Sequence, residues 1–424
     1  MIKTYIFKAK QPKSLLSELN LESGRIYNLV LTWHWRFYRR SGHWLRQGDA
    51  ERFNVSLGPT LLHAHSRDAA QQAFYKAVKT VYALRKARSK ARFPYKRRRF
   101  RTTIWKSTGI RVREGQMLLA RARGLEPVRV TLRNELGRFP ESSFKEVRLV
   151  FNHKRKRYDW HVVIDDGKEP PLPPGDNVVA VDLGEIHPAV ACSPTQAVVF
   201  SARELRATIQ YRNKQLAILS ALQARCQKRS RMWWRLQGLK NDLKGYTERK
   251  IRDICHKVSR AVIDFAIEQQ AGTIIIGDVR NIANGKRLHR KSQQKISQWP
   301  HGRLRQYITY KAEAAGMRVV LQDERYTSQT CPACSNRHKP AGRVYRCPAC
   351  GWQGHRDGQV GAPNILSKFL FSELGRVQVP SPKYRFPYLV GKRSRSDTAQ
   401  VAGASLCLAG TGQVSPVALE AAPL

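Results

Sequence analysis

At 424 residues and 42% hydrophobic content, the chain is long enough for roughly two to four domains with real cores. Its 77 Lys and Arg against 31 Asp and Glu leave a net charge of +46, spread along the whole length, and a fold that repels itself so strongly calls for a polyanion. No run approaches the roughly 18 apolar residues of a membrane span, residues 1–20 lack a signal-peptide core, and eight cysteines are too few for a secreted disulfide scaffold; the composition points to a cytoplasmic protein that binds nucleic acid, with no membrane partner.

Met1–Lys10 alternates like a first strand, and Ser14–Arg40 and Leu61–Leu84 carry apolar residues at helical spacing. From Arg85 to Arg101 runs a basic stretch interleaved with Phe93, Tyr95 and Phe100. Its cations suit phosphates and its rings suit bases, which makes Lys96, Arg97, Arg98, Arg99 and Arg101 candidate nucleic-acid contacts; the plain alternative is a solvated basic linker. Between Val112 and Asp165, alternating runs such as Glu146–Phe151 and Tyr158–Ile164 predict an antiparallel barrel or sheet. The Pro-rich Gly167–Asp176 marks a boundary. A βαβ-like order follows: strand Asn177–Asp182, a helical region Ala202–Gln270, strand Thr273–Asp278, helix Gly302–Ala315 and strand Arg318–Gln322. Beyond Ser372 the Pro-, Ser- and Ala-rich composition predicts a largely disordered basic tail.

Two aromatic and basic runs, Trp33–Arg40 and Arg229–Arg235, read either as channel walls or as helices with a core-facing aromatic side. Asn284–Lys291 reads as a lid or an ordinary surface loop. Cys192, Cys226, Cys255 and Cys407 are isolated and read as buried or free thiols.

Cys331-Pro-Ala-Cys334 and Cys347-Pro-Ala-Cys350 are matched Cys-x-x-Cys knuckles. Four thiolates so spaced close a tetrahedral Zn²⁺ shell and leave no open position, so the zinc is structural; His338 and His355 flank the knuckles but are not needed as ligands.

Three apolar strands end in carboxylates: Asp182, Asp278, and the pair Asp323 and Glu324; Asp357 follows the second knuckle. A two-metal phosphodiester nuclease needs such acids converging from separate elements, because each Mg²⁺ takes oxygen ligands and the ions sit roughly 4 Å apart. For each acid alone the plain alternative is a cap or turn residue.

With Val181-Asp-Leu-Gly184, Tyr326-Thr-Ser-Gln-Thr-Cys-Pro-Ala-Cys334, the second knuckle with Arg356-Asp357, and Gly361-Ala-Pro-Asn-Ile-Leu366, the chain resembles transposon-encoded TnpB and the compact type V CRISPR effectors related to it. The specific motifs lie within about residues 178–370; the N-terminal half matches only in composition and layout. The resemblance implies a multidomain α+β and α/β protein: a wedge-type β-barrel (1–10 and 101–170), a helical recognition lobe (11–100), an RNase-H-like RuvC nuclease domain (177–326 and 355–371), a zinc ribbon (327–354) and the tail (372–424). It further implies a guide RNA, a DNA target and Mg²⁺, and assigns the outer catalytic acids to Asp182 and Asp357. The family's middle motif carries Glu before Asp, whereas this chain has Gly277-Asp278. Either Glu324 on the neighbouring strand supplies the third carboxylate, with Asp278 supporting, or the nuclease is impaired and the chain is an RNA-guided DNA-binding protein such as a repressor or targeting subunit. A DDE-type transposase would share the acidic strand ends but normally lacks the ribbon. A non-catalytic zinc-ribbon factor leaves those strand ends unexplained.

Overall fold

The computed structural model describes residues 1–55, 58, 60–87, 89–153, 155–280 and 289–388. Strand β1 (Ile2–Lys8) leads into the helices α1 (Lys13–Ser41), α2 (Gln47–Val55) and α3 (Ala64–Lys86). Helix α1 ends at Gly42, whose φ of 71° turns its N–H back onto the carbonyl of Tyr38, a position where a Cβ would be strained. Strands β2 (Thr103–Lys106), β3 (Ile110–Arg113), β4 (Gln116–Leu119) and β5 (Val128–Thr131) follow, then the single-turn α4 (Asn134–Gly137), β6 (Phe144–Asn152) and β7 (Arg157–Asp165). They pair into two antiparallel sheets, β1-β7-β6-β2 and β3-β4-β5. The sheets share one core, in which Trp105, Ile110, Met117, Leu149 and Trp160 meet Leu16 and Leu19 of α1. No strand pairing joins the two sheets into a closed ladder among the described residues.

The second unit is organised on a six-stranded sheet. Strands β8 (Asn177–Asp182), β9 (Ala189–Cys192) and β10 (Ala197–Phe200) form an antiparallel meander. Helices α5 (Arg203–Ala224) and α6 (Arg231–Glu268) then form a hairpin, broken where Arg229 takes φ 70° and Ser230 caps α6 by accepting the Trp233 N–H at 3.2 Å. Strand β11 (Ala271–Gly277), α7 (Arg290–Gln298), α8 (His301–Glu313) and β12 (Arg318–Gln322) follow. After them come the hairpin β13 (Val344–Arg346) and β14 (Gln353–His355), helix α9 (Ala362–Phe371) and β15 (Lys383–Arg385). The order is β12-β11-β8-β9-β10-β15, with β8, β11 and β12 mutually parallel. Side chains of a strand alternate between faces: Val179 and Val181 pack with α5, α6 and α8, whereas Ala180 packs with α9. Both faces being covered, these strands read as continuous apolar runs.

Two expectations need correction. The βαβ-like reading missed β9 and β10, whose short all-apolar runs carry no alternation because both faces are buried. Residues 372–388, assigned by composition to a disordered tail, are packed: Val377 and Val379 join the core beneath α9, and β15 adds a parallel strand beside β10. Residues 389–424 lie outside the described residues, as do residues 281–288, most of the expected lid.

Candidate active site

Parallel neighbours place their carboxyl ends on one edge of the sheet, where α/β folds commonly put their chemistry. Ile276 of β11 pairs with Val181 of β8, and Gly277 with Gln322 of β12, so Asp182, Gly277 and the segment carrying Glu324 emerge side by side. Gly277 stands between the two acids and has no side chain. A Cβ built there would lie 1.7 Å from Oε1 of Glu324, so the Glu324 carboxylate occupies the space that any other residue at 277 would fill. Asp182 is confined in a similar way: a Cβ on Gly361 would lie 2.7 Å from its Oδ2, which brings the π-helical turn Arg356–Gly361, with Asp357, against β8.

The electrostatics fit a cation. Burial, reinforced by the neighbouring Asp357, raises the Asp182 carboxyl well above the ordinary range. Burial, then Asp182, Asp278 and Asp323, raises Glu324 further, since each carboxylate disfavours ionisation of the next. Oε1 of Glu324 is buried with no hydrogen-bond partner among the described residues. Two crowded, half-buried acids, one with an orphaned buried oxygen, are the donor set a divalent ion takes. Asp357 is at present held otherwise: Arg343 of the ribbon pairs with its Oδ2, and the Arg356 Nε lies 3.3 Å from its Oδ1. The three carboxylates therefore share the site without forming a tight ring. Asp278 stands apart, gripped by Arg280, whose Nε lies 2.8 Å from both carboxylate oxygens; that hydrogen bonding holds its pKa below the usual value. Asp323 pairs with Lys368 at 2.8 Å and is largely exposed.

Sequence reasoning missed two residues that hold this edge together. Asn364 is fully buried; its amide donates to the carbonyls of Thr327 and Thr330, both at 2.8 Å, and its Oδ1 accepts from Gly375 N at 2.8 Å. It thereby ties α9 to the segment that follows Glu324. Arg343 was the other, and nothing in its local sequence distinguishes it from the chain's many arginines.

The four knuckle cysteines form the only group of three or more metal-capable side chains whose donor atoms all lie within 4.8 Å of one another among the described residues. Cys331 and Cys350 Sγ are 3.8 Å apart, Cys334 and Cys347 Sγ 3.5 Å. Tetrahedral Zn–S bonds of 2.3 Å would set sulfurs about 3.8 Å apart, while a disulfide needs about 2.05 Å, so the quartet can hold zinc. Val360, on the turn that carries Asp357, packs into the same small core as Cys331, Tyr345 and Cys347.

The basic run is strapped along α1. Asn28 exchanges two hydrogen bonds with the Arg98 backbone, at 2.9 and 3.0 Å, and the Arg101 N–H bonds Asn20 O at 2.9 Å. A Cβ on Gly24 would meet Arg99 O at 2.3 Å, so glycine permits the close approach. Lys96, Arg97, Arg98 and Arg99 are exposed on this strap, beside the exposed Tyr95 and Phe100. Arg101 differs, lying half-buried with its guanidinium 3.7 Å from the Tyr27 ring centroid. Phe93 is removed from base stacking, because it packs against Trp44 and Tyr82. Trp33 and Trp35 likewise pack on the helical core, while Trp234 is exposed beside Arg231 and Arg235.

Residues 301–365 match the family model described as Cas12f1-like, TNB domain. A CRISPR-associated endodeoxyribonuclease Cas12f1 of Sulfoacidibacillus thermotolerans is 35% identical over 118 residues, 26% of each chain. A TnpB-like protein of Methanocaldococcus jannaschii is 29% identical over 136 residues, 32% of this chain and 48% of that one. The chain thus spans about a quarter to a half of the length of these curated relatives. Among solved structures, a Cas12f1–sgRNA–target DNA complex superposes with a TM-score of 0.52 over 80% of both chains at 13% identity, a likeness of fold.

Proposed function

The chain belongs to the TnpB and type V effector family, and from that premise we propose that it is an RNA-guided DNA endonuclease with a RuvC-type, RNase-H-like site built from Asp182, Glu324 and Asp357. The observation that carries this reading is the Glu324 carboxylate lying in the space above Gly277, near Asp182, with its Oε1 buried and unpaired among the described residues. The carboxylate absent from the middle strand end reaches the site from the next strand.

On this reading Asp182 and Glu324 hold the metal-facing edge, and Asp357 joins them when it exchanges its arginine partners for the cation. Mg²⁺ bound there would supply an activated water and stabilise charge on the leaving 3′ oxygen. Asp278, tied to Arg280, supports β11 without ligating. The cysteine quartet takes structural zinc and keeps the Asp357 turn in place through Val360. The β1–β7 unit and the α1–α3 helices act as the wedge and recognition parts, with Lys96 to Arg99 on nucleic-acid backbone and Arg101 fixing the strap. Guide RNA and target DNA are the partners, and base pairing between them selects the sequence.

A second reading has one observation in its favour: Asp357 is engaged by Arg343 and Arg356. If those pairs persist in the assembled complex, the chain binds its target without cutting it. The deciding assay incubates the RNA complex and Mg²⁺ with matched DNA, comparing wild type, Asp182→Ala and Glu324→Ala. The nuclease reading expects cleavage by wild type alone; cleavage surviving Glu324→Ala removes that residue from the site, and tight binding without cleavage by wild type establishes the second reading.

A further inference from the structure

A cavity of about 300 Å³ is walled by α5, α7 and the loop after β8. Its apolar surface is Ile209 and Trp299, each only 6% exposed. The Trp299 indole N–H is buried without an acceptor among the described residues. Gln210, Asn213 and Gln294 add amide groups to the wall. Lys291, Gln294 and Lys295 fall at i, i+3 and i+4 of α7 and so share one helix face, and Lys214 approaches from α5. These three lysines are exposed and make no ion pair among the described residues. The one acid on the wall, Glu185, has its Oε1 3.2 Å from Arg206 Nε, so it does not offset the lysines.

We propose that this cavity receives one unpaired nucleotide of a single strand, its base against Ile209 and Trp299 and its flanking phosphates against Lys214, Lys291 and Lys295. Three arguments converge on that occupant. The volume is at the small end of ligand clefts, with room for a base and its sugar. An apolar floor with amides at its margin takes any base by contact and reads its edge by hydrogen bonds. The exposed lysines of its wall match phosphates, which stay outside when a base is turned inward. The proposal rests on the nuclease reading for its purpose: Glu185 of the wall is three residues beyond Asp182, so the cavity adjoins the segment that carries that carboxylate.

The test is a binding cycle on the full chain without divalent metal. A labelled six-residue thymidine strand is compared with the same strand lacking every base, in wild type and in Gln294→Trp, where the exposed Gln294 is replaced by a ring that fills the cavity. Base contacts of this kind are worth about fivefold or more in affinity. Wild type should show at least that penalty for base removal beyond the penalty seen in Gln294→Trp. A Lys291→Glu/Lys295→Glu variant should weaken both strands, whereas Lys244→Glu/Arg249→Glu, exposed on α6 and absent from the cavity wall, should leave the base-dependent difference intact. Photocrosslinking of 5-iodouracil strands should map to 206–214 or 291–299. DNA and RNA versions of the strand identify which polymer the cavity prefers. Equal base-removal penalties in wild type and Gln294→Trp, or crosslinks confined to other segments, overturn the proposal. Because no metal is present and Asp182→Ala should give the same cycle, failure of the nuclease reading leaves this result unchanged.

Discussion

Replacing Gly277 by alanine probes the relocated carboxylate with a single methyl group. Gly277 does not use a left-handed backbone conformation, so alanine adds no backbone strain and its effect must act through neighbouring side chains. The neighbour is Glu324: the new Cβ would sit 1.7 Å from Oε1, and an ordinary contact begins at 3.4 Å, so the oxygen must withdraw by about 1.7 Å. Mg²⁺ holds its oxygens at about 2.0–2.1 Å in a strict octahedron, and a displacement of about 1 Å in a catalytic group already costs on the order of 100-fold. Gly277→Ala is therefore expected to lower single-turnover cleavage by about 100-fold or more, and to reduce the Mg²⁺-induced rise in melting temperature, with the metal-free fold intact. The companion Gly277→Glu/Glu324→Gly returns the acid to β11 and should recover part of both signals. Cleavage by Gly277→Ala within about threefold of wild type, with an unchanged Mg²⁺ shift, would refute the claim that Glu324 acts from above Gly277.

The acid pair makes a pH prediction. Burial, with Asp357 beside Asp182 and with Asp182 beside Glu324, raises Asp182 to about 7 and Glu324 to about 9, so between ordinary carboxylate values near 4 and those values the folded chain binds more protons than the unfolded one. Metal-free stability should then fall as pH rises through that window, Mg²⁺ affinity should rise over it, and Glu324→Gln should flatten the upper part; unfolding curves from pH 5 to 9 with and without Mg²⁺ read this, and a metal-free stability that climbs with pH in that range contradicts the placement. Asn364→Ala leaves two buried carbonyls and one N–H without partners and should cost about 2–4 kcal/mol in urea unfolding; a loss under about 0.5 kcal/mol would show that the tie to Thr327 and Thr330 is not made in solution. Elemental analysis should find one zinc per chain, lost in Cys347→Ser, and zinc removal should increase hydrogen exchange at the Asp357 turn through Val360; a chain without zinc whose turn exchanges as slowly as before would uncouple the ribbon from the site.

The four cysteines were legible in the sequence because a metal knuckle is a local object: two ligands per turn, fixed by spacing. The strand ends at Asp182 and Asp278 were legible too, since apolar runs that finish in an acid are rare for packing reasons. The same local reading could not separate Asp278 from Glu324. Both are acids after parallel strands, and only the sheet order, with glycine standing between two acids, turns Glu324 inward while Arg280 takes Asp278. Phe93 and Arg101 looked like base and phosphate contacts until packing showed their faces spent on Trp44, Tyr82 and Tyr27. Residues 372–388 read as disorder because their few apolar side chains have no period of their own; Val377 and Val379 become core only against α9, which composition cannot supply. Spacing along the chain fixes what neighbours in sequence can do together, whereas burial and charge crowding depend on residues more than a hundred positions apart, and those distances exist only once the sheet has formed.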